Sequence, residues 1–327
     1  MTTPNIETSL TRLLGIQHPL LLAPMGGVSG GNLVAAVSRA GGLGMIGGGY
    51  TDPRWLRREL KLCSRVAKFG IGFITWSLDK VPSALQQALE HSPSVVMFSF
   101  GDFQNYLPQV RDSGAKIICQ VQYLEEAKEA AALGIDAIVV QGNEAGGHGG
   151  GRGTFALVPA VADALPETPV IAAGGIFDGR GIAAALTLGA SGVLLGTRFL
   201  AAAEALVAAS AKERVISSDG DSTIRTRVFD IVSGIKWPLR YTGRALRNSF
   251  TDRWHSREAD LHERQELEFE SYRDAYRRKD FDTAVIYAGE AVDGVKKYEA
   301  ASTIVETIMG QATAILAEGP ASISLKS

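Results

Sequence analysis

Residues 123–141, YLEEAKEAAALGIDAIVVQ, carry the reading of the fold. Their first part, Tyr123–Leu133, is made of strong helix formers and places glutamate early, where the helix macrodipole favours an acid. Gly134 then stands where a helix ends in the left-handed region, a conformation open to a residue without a Cβ. Beyond Ile135-Asp136, the run Ala137–Gln141 is continuously apolar up to its last residue, as a strand buried on both faces should be. The stretch is an αβ corner. It recurs at Leu188-Gly189-Ala190-Ser191-Gly192 behind the helical segment Gly181–Leu188, and more weakly at Ala40-Gly41-Gly42-Leu43-Gly44. Repetition of one corner predicts repeated βα units.

Outward from these corners, eight short apolar runs rich in Val, Ile and Leu read as strands. They are Pro19–Met25, Leu43–Gly48, Phe69–Thr75, Val95–Phe100, Lys116–Val121, Ala137–Gln141, Pro169–Ala173 and Gly192–Phe199. Eight parallel strands with helices between them, within about 200 residues, predict an α/β fold of the closed (β/α)8 TIM-barrel type. An open doubly wound sheet is the alternative. Its dinucleotide fingerprint is matched by Gly42–Gly47 in letters only, because those glycines fall inside a strand rather than opening a helix. After Phe199 the pattern changes. Ala201–Ala211 reads as an alanine-rich helix, followed by mixed helix and loop to about Asn248. From Asp252 to Asp280, 16 of 29 residues are charged, which predicts a solvated helical segment packed by one face, with a partner-binding arm as the alternative. Ala300–Leu316 is a helix returning to the barrel. The expected division is therefore a barrel domain of residues 1–203 and 285–327 and a helical insertion, a substrate lid, over 204–284.

Composition limits the partners. The chain has 327 residues, 46% hydrophobic and 21% charged, with a net charge of −2, which excludes disorder and disfavours a nucleic-acid surface. No run approaches the roughly 20 apolar residues of a membrane span. Two cysteines, Cys63 and Cys119, make neither a disulfide framework nor a zinc site, and the polar start Met1–Leu10 lacks a signal-peptide core, so a cytoplasmic location is expected. No metal-binding pattern and no serine-hydrolase elbow occurs.

In such barrels chemistry sits on the loops that follow the strands. The seventh and eighth loops offer Gly174, Gly175, Gly196 and Thr197, where bare backbone N–H groups can converge on a phosphate; a tight turn is the alternative for a glycine pair. The sixth loop packs six glycines into Gly142–Gly151 together with His148, which can exchange protons near neutral pH. Glu144 could orient that histidine or cap a turn. His18, His91, His255 and His262 lie away from strand ends and read as structural. One histidine beside a phosphate site, without metal or nucleophile, implies a cofactor that carries the difficult chemistry. A non-catalytic phosphate-binding barrel is the reading from another class.

Ala23-Pro24-Met25, Glu144–His148 (EAGGH), Ala173-Gly174-Gly175-Ile176 and Gly196-Thr197 together resemble the nitronate monooxygenase family, formerly called 2-nitropropane dioxygenases. The resemblance runs from about Leu14 to Leu200 and resumes at Ala288–Val292. It implies FMN held non-covalently, its phosphate on Gly174, Gly175, Gly196 and Thr197. The isoalloxazine would lie over Ala23, Pro24 and Met25 and against Gly146 and Gly147, with Gln120 and Gln141 bonding the ring or ribityl chain. The family's third-strand Asn is missing from Gly70–Trp76, and Thr75 is expected in its place. His148 matches the histidine that takes the α-proton of a neutral nitroalkane, after which the nitronate is oxidised by O2 to a carbonyl compound and nitrite. The implied partners are thus a small-molecule substrate and O2, with no nucleic acid and no membrane, and the sequence leaves room for a homodimer. Tyr50, Trp76, Phe100 and the insertion are expected to wall the pocket. The same motifs occur in FMN-dependent enoyl-thioester reductases and NAD(P)H:quinone reductases of the superfamily, which form the alternative activity.

Overall fold

The structure, a computed structural model, describes residues 5–63 and 66–319; the ends of the expected barrel domain, 1–4 and 320–327, and the first residues of the start Met1–Leu10, lie outside the described residues. Its strands in chain order are β1 (Leu20–Leu22), β2 (Met45–Gly47), β3 (Gly70–Ile74), β4 (Val95–Ser99), β5 (Lys116–Val121), β6 (Ala137–Gln141), β7 (Gly147–Gly149), β8 (Val170–Ala173), β9 (Gly192–Leu195), β10 (Thr223–Thr226) and β11 (Thr242–Leu246). Eight of them form one parallel sheet in the order β1-β9-β8-β6-β5-β4-β3-β2. A parallel bridge from Leu21 to Leu43 joins its two ends, so the sheet closes into a (β/α)8 barrel.

The barrel interior explains the continuous apolar runs. Leu21, Met45, Met97, Ile118, Val139, Ile171 and Leu194 fill the inside, while Leu20, Leu22, Ile46, Val96 and Val140 pack outward beneath the helices. Both faces exclude water, so alternation between polar and apolar residues is lost. Leu10 and Leu14, on the helix Ser9–Leu14, join the inner cluster and close the amino end. The helix following β5 spans Leu124–Ala132 and that following β8 spans Gly179–Thr187, each within two residues of its reading from the sequence. Gly134 has φ +70° and Gly189 φ +95°, as the corner requires. The helix Ala301–Glu318 lies on Gly179–Thr187; a Cβ on Gly179 would stand 2.4 Å from the Ala312 nitrogen, so only glycine permits that approach.

Two expectations are corrected beyond Phe199. The alanine-rich segment is helical only over Ala209–Ile216. Upstream, Ala202 pairs with Glu299 and Lys212 Nζ bonds the carbonyls of Ala202 and Ala203, so tertiary partners claim the backbone a helix would use. The stretch read as mixed helix and loop contains β10 and β11, which form an antiparallel sheet in the order β10-β11-β7. The glycine-rich segment after β6 is therefore in part a strand, with His148 opposite Gly243. The charged segment forms the helices Ser249–Trp254, Glu258–Glu263 and Gln265–Arg278. They bury Trp254, Leu261 and Tyr272 against Phe229 and Phe250 and leave the charges in solvent, as a one-sided helical segment does.

Candidate active site

A cavity of about 1420 Å³ opens at the carboxyl ends of the barrel strands and runs beneath the segment that follows the barrel. Ala23, Pro24, Met25, Gln120, Gln141, Gly146, Gly147, His148, Gly174, Gly175, Gly196 and Thr197 all line it. Thr75 does not. The chain turns into the short helix Thr75–Leu78 directly after β3, which buries Thr75 fully beneath Gly101; Ile74 and Ser99 reach the cavity instead. Of the expected aromatic walls, Tyr50 and Phe100 line the space, whereas Trp76 packs behind them, 5.2 Å from Trp237 between ring centroids.

The expected phosphate cradle rests on glycine geometry. Gly174 and Gly175 follow β8 at φ +111° and +71°, which turns the chain sharply in conformations that side chains disfavour. None of the N–H groups of Gly175, Gly196 and Thr197 donates to another described residue. Unpaired backbone donors lining one cavity are what a phosphate needs. Across the cavity Gly147 sits at φ +73° with no atom within 4 Å of where a Cβ would stand, so the space above it is free for a flat ligand. Between these ends, Gln141 Oε1 accepts from Gln120 Nε2 at 3.0 Å and Gln122 Nε2 at 2.8 Å, which leaves the Gln141 amide N–H groups to donate into the cavity. Apolar walls, converging donors and a free shelf fit a planar cofactor with a phosphate tail.

His148 is 8% exposed, on β7. Its Nε2 lies 2.9 and 3.0 Å from the two carboxylate oxygens of Asp230, and its ring stacks on Trp237 at 3.6 Å with 6° between planes. Nδ1 has no protein hydrogen-bond partner among the described residues. Trp237 Nε1 in turn donates to the Tyr50 hydroxyl at 3.1 Å. Burial pushes the Tyr287 phenol, 5.5 Å from the imidazole between ring centroids, well above its ordinary value, so it stays neutral there.

Glu144 takes the capping role of the two considered. Its carboxylate accepts from Thr154 N and Thr154 Oγ1 at the start of the helix Thr154–Ala164, where the dipole favours an anion, and makes no hydrogen bond to His148. The loop is anchored by two residues the sequence reading missed. Arg225 donates to the carbonyls of Asn143, Gly149 and Thr242, and Arg244 to the carbonyl of Asn143. Burial and the neighbouring Arg244 pull Arg225 down to about 10. Asp230 and Trp237 were missed as well. One signal was available for Asp230: it is an acid inside the apolar run Val228–Val232, where an unpaired carboxylate is too costly to keep. Among the described residues no group of three or more His, Cys, Asp or Glu could hold a metal ion, and no helix is long and apolar enough to cross a membrane.

Comparison with known proteins places the chain in a family. The family model described as nitronate monooxygenase matches residues 7–76 and 78–311. Nitronate monooxygenase npaC of Metarhizium robertsii is 36% identical over 336 residues, covering 92% of each chain. The (3aS,4S,5R,7aS)-5-hydroxy-7a-methyl-1-oxo-octahydro-1H-indene-4-carboxyl-CoA dehydrogenase of Mycobacterium tuberculosis is 37% identical over 229 residues. That match takes in 69% of this chain and only 64% of the dehydrogenase. Among solved structures, FabK from Thermotoga maritima superposes with a TM-score of 0.84 at 31% identity, covering 96% of this chain and 98% of that one.

Proposed function

Because the chain belongs to the nitronate monooxygenase family, we propose that it oxidises alkyl nitronates and nitroalkanes with O2 on bound FMN. The products are a carbonyl compound and nitrite, and His148 is the base that opens the neutral nitroalkane. Gly174, Gly175, Gly196 and Thr197 would hold the FMN phosphate. Ala23–Met25, Gly146 and Gly147 would flank the ring, and Gln120 and Gln141 would donate to its polar edge or the ribityl chain. FMN, when bound, supplies the electron acceptor and the reaction with O2.

The observation that carries the reading is a single buried imidazole in the wall of that cavity, with one nitrogen on Asp230 and the other without a hydrogen-bond partner among the described residues. A carbon acid needs a base matched to the working pH and held out of water, which typically contributes about 10²–10⁴-fold. Trp237 covers one face of the ring and keeps water from it. A preformed nitronate has already lost its proton and makes no such demand. The purified protein is therefore expected to be yellow and to consume O2 with ethyl nitronate. His148→Asn should keep its FMN and much of the nitronate activity but lose about 100-fold or more on neutral nitroethane. Equal rates of mutant and wild type on neutral nitroethane, read at an oxygen electrode, would remove His148 from the mechanism.

A second reading is favoured by size. The cavity exceeds the roughly 300–1,000 Å³ of ordinary ligand pockets, so there is room beside FMN for more than a small nitroalkane. With a CoA-linked dehydrogenase among the relatives, an FMN-dependent NAD(P)H:quinone or enoyl-thioester reductase accommodates that volume. Anaerobic mixing with NADH or NADPH separates the two. Rapid bleaching of the flavin moves the assignment to the reductase, and an unchanged spectrum retains the oxygenase.

A further inference from the structure

We propose that Asp230 is a positioning residue that fixes the proton of His148 on Nε2, so that Nδ1 is the basic nitrogen of the site. The inference rests on the role given to His148 above, but the proton's position can be tested apart from it.

Asp230 is 3% exposed and sits on the short helix Val228–Val232, 82 residues from its partner in the chain. Both of its carboxylate oxygens face the same nitrogen of His148, at 3.0 and 2.9 Å, and among the described residues its side chain has no other hydrogen-bond donor. An ionised carboxylate only accepts. With Asp230 ionised, the contact requires hydrogen on Nε2, and in the neutral imidazole that leaves the lone pair on Nδ1. A carboxylate kept in the core merely for packing would be surrounded by several donors, because burying an ion with a single partner is costly. The arrangement instead has the logic of an acid behind a catalytic histidine, which holds the ring and balances the imidazolium that forms on proton uptake. Trp237, seven residues further along, completes the mount by fixing the plane of the ring and offering its π face to the same cation.

Asp230, which does not itself line the cavity, thus prepares the base from behind the ring. Proton removal from a neutral nitroalkane should depend on Asp230 much more than oxidation of a nitronate does, since only the first requires the lone pair.

The test has two parts. In wild-type protein labelled with 15N-histidine, the His148 signals, assigned by their loss in His148→Asn, should show a protonated Nε2 and an unprotonated Nδ1 at neutral pH. Asp230→Asn should disturb that pattern, because an amide can present an N–H to Nε2 and drive the proton to Nδ1. In steady-state assays the same variant should lower kcat on neutral nitroethane by about 100-fold relative to kcat on ethyl nitronate, within the range that general bases and their orienting acids supply. Asp230→Ala should lose the same ratio and recover part of it when formate is added. A proton found on Nδ1 in the wild type overturns the proposal, as does loss of both activities in equal proportion without rescue by formate. If wild-type protein oxidises neither nitroethane nor its nitronate, the functional reading fails while the labelled-histidine spectra still decide the role of Asp230.

Discussion

Glu144 and His148 stand four residues apart in one glycine-rich loop, yet their side chains have unrelated partners. The carboxylate of Glu144 satisfies the first turn of the helix Thr154–Ala164. Glu144→Ala removes that cap and should cost about 1 kcal/mol of stability. The ratio of nitroalkane to nitronate turnover should be unaffected, because the base is not involved. A urea titration alongside the two-substrate assay checks both halves. Gly175 is sensitive in another way. At φ +71° any Cβ is strained, so Gly175→Ala should cost about 1–2 kcal/mol and weaken the phosphate grip, seen as FMN lost on dialysis. At this scale the sequence was informative wherever an unusual residue type stood at a strand end. His148, Gly174 and Gly175 qualified. Thr75 is buried off the cavity because β3 stops at Ile74 and the next helix begins at Thr75, a boundary that the sequence does not mark.

The pairing of β7 with β11 decides what the glycine-rich segment becomes. Strand β7 has the sequence Gly-His-Gly, with nothing in it that favours an extended chain, and β11 reads Thr-Gly-Arg-Ala-Leu. Neither could be recognised alone. They are strands because they meet each other, and because Arg225 on β10 gathers the carbonyls of Asn143, Gly149 and Thr242 behind them. Arg225→Met would leave several acceptors unsatisfied in a partly buried place. The expected loss is about 3 kcal/mol, read as a lowered urea midpoint, with faster hydrogen exchange at residues 143–149 than elsewhere. The barrel strands β3 to β6 were legible for the opposite reason: each is buried on both faces, so composition alone announces them.

Over the whole molecule, the barrel is joined to its last helix by a buried ion pair. Arg198, just after β9, donates to Glu299 at 2.8 Å, and both side chains are 8% exposed. Burial alone would push the Glu299 carboxyl up, but hydrogen bonds from Arg198 and Lys297 reverse this and hold it below its ordinary value of 4.5. A lowered folded-state value means stability that is present above pH 4.5 and lost as pH falls through the folded value. Denaturant midpoints should therefore drop on acidification below about that point, and Glu299→Gln should flatten the drop. The partner of this pair, like Asp230 for His148, lies far along the chain, and no local pattern could reveal it.

The three-stranded sheet has one more consequence. Apart from Gly147 on β7, the residues proposed to grip the coenzyme belong to the eight-stranded cylinder and its rim, while the acid and the indole beside the imidazole come from the segment laid over it. On the proposed function, electron traffic and hydrogen-ion traffic would fall largely to separate modules. Exchanging the overlay between related chains should alter which carbon acids are accepted and leave the yellow colour in place.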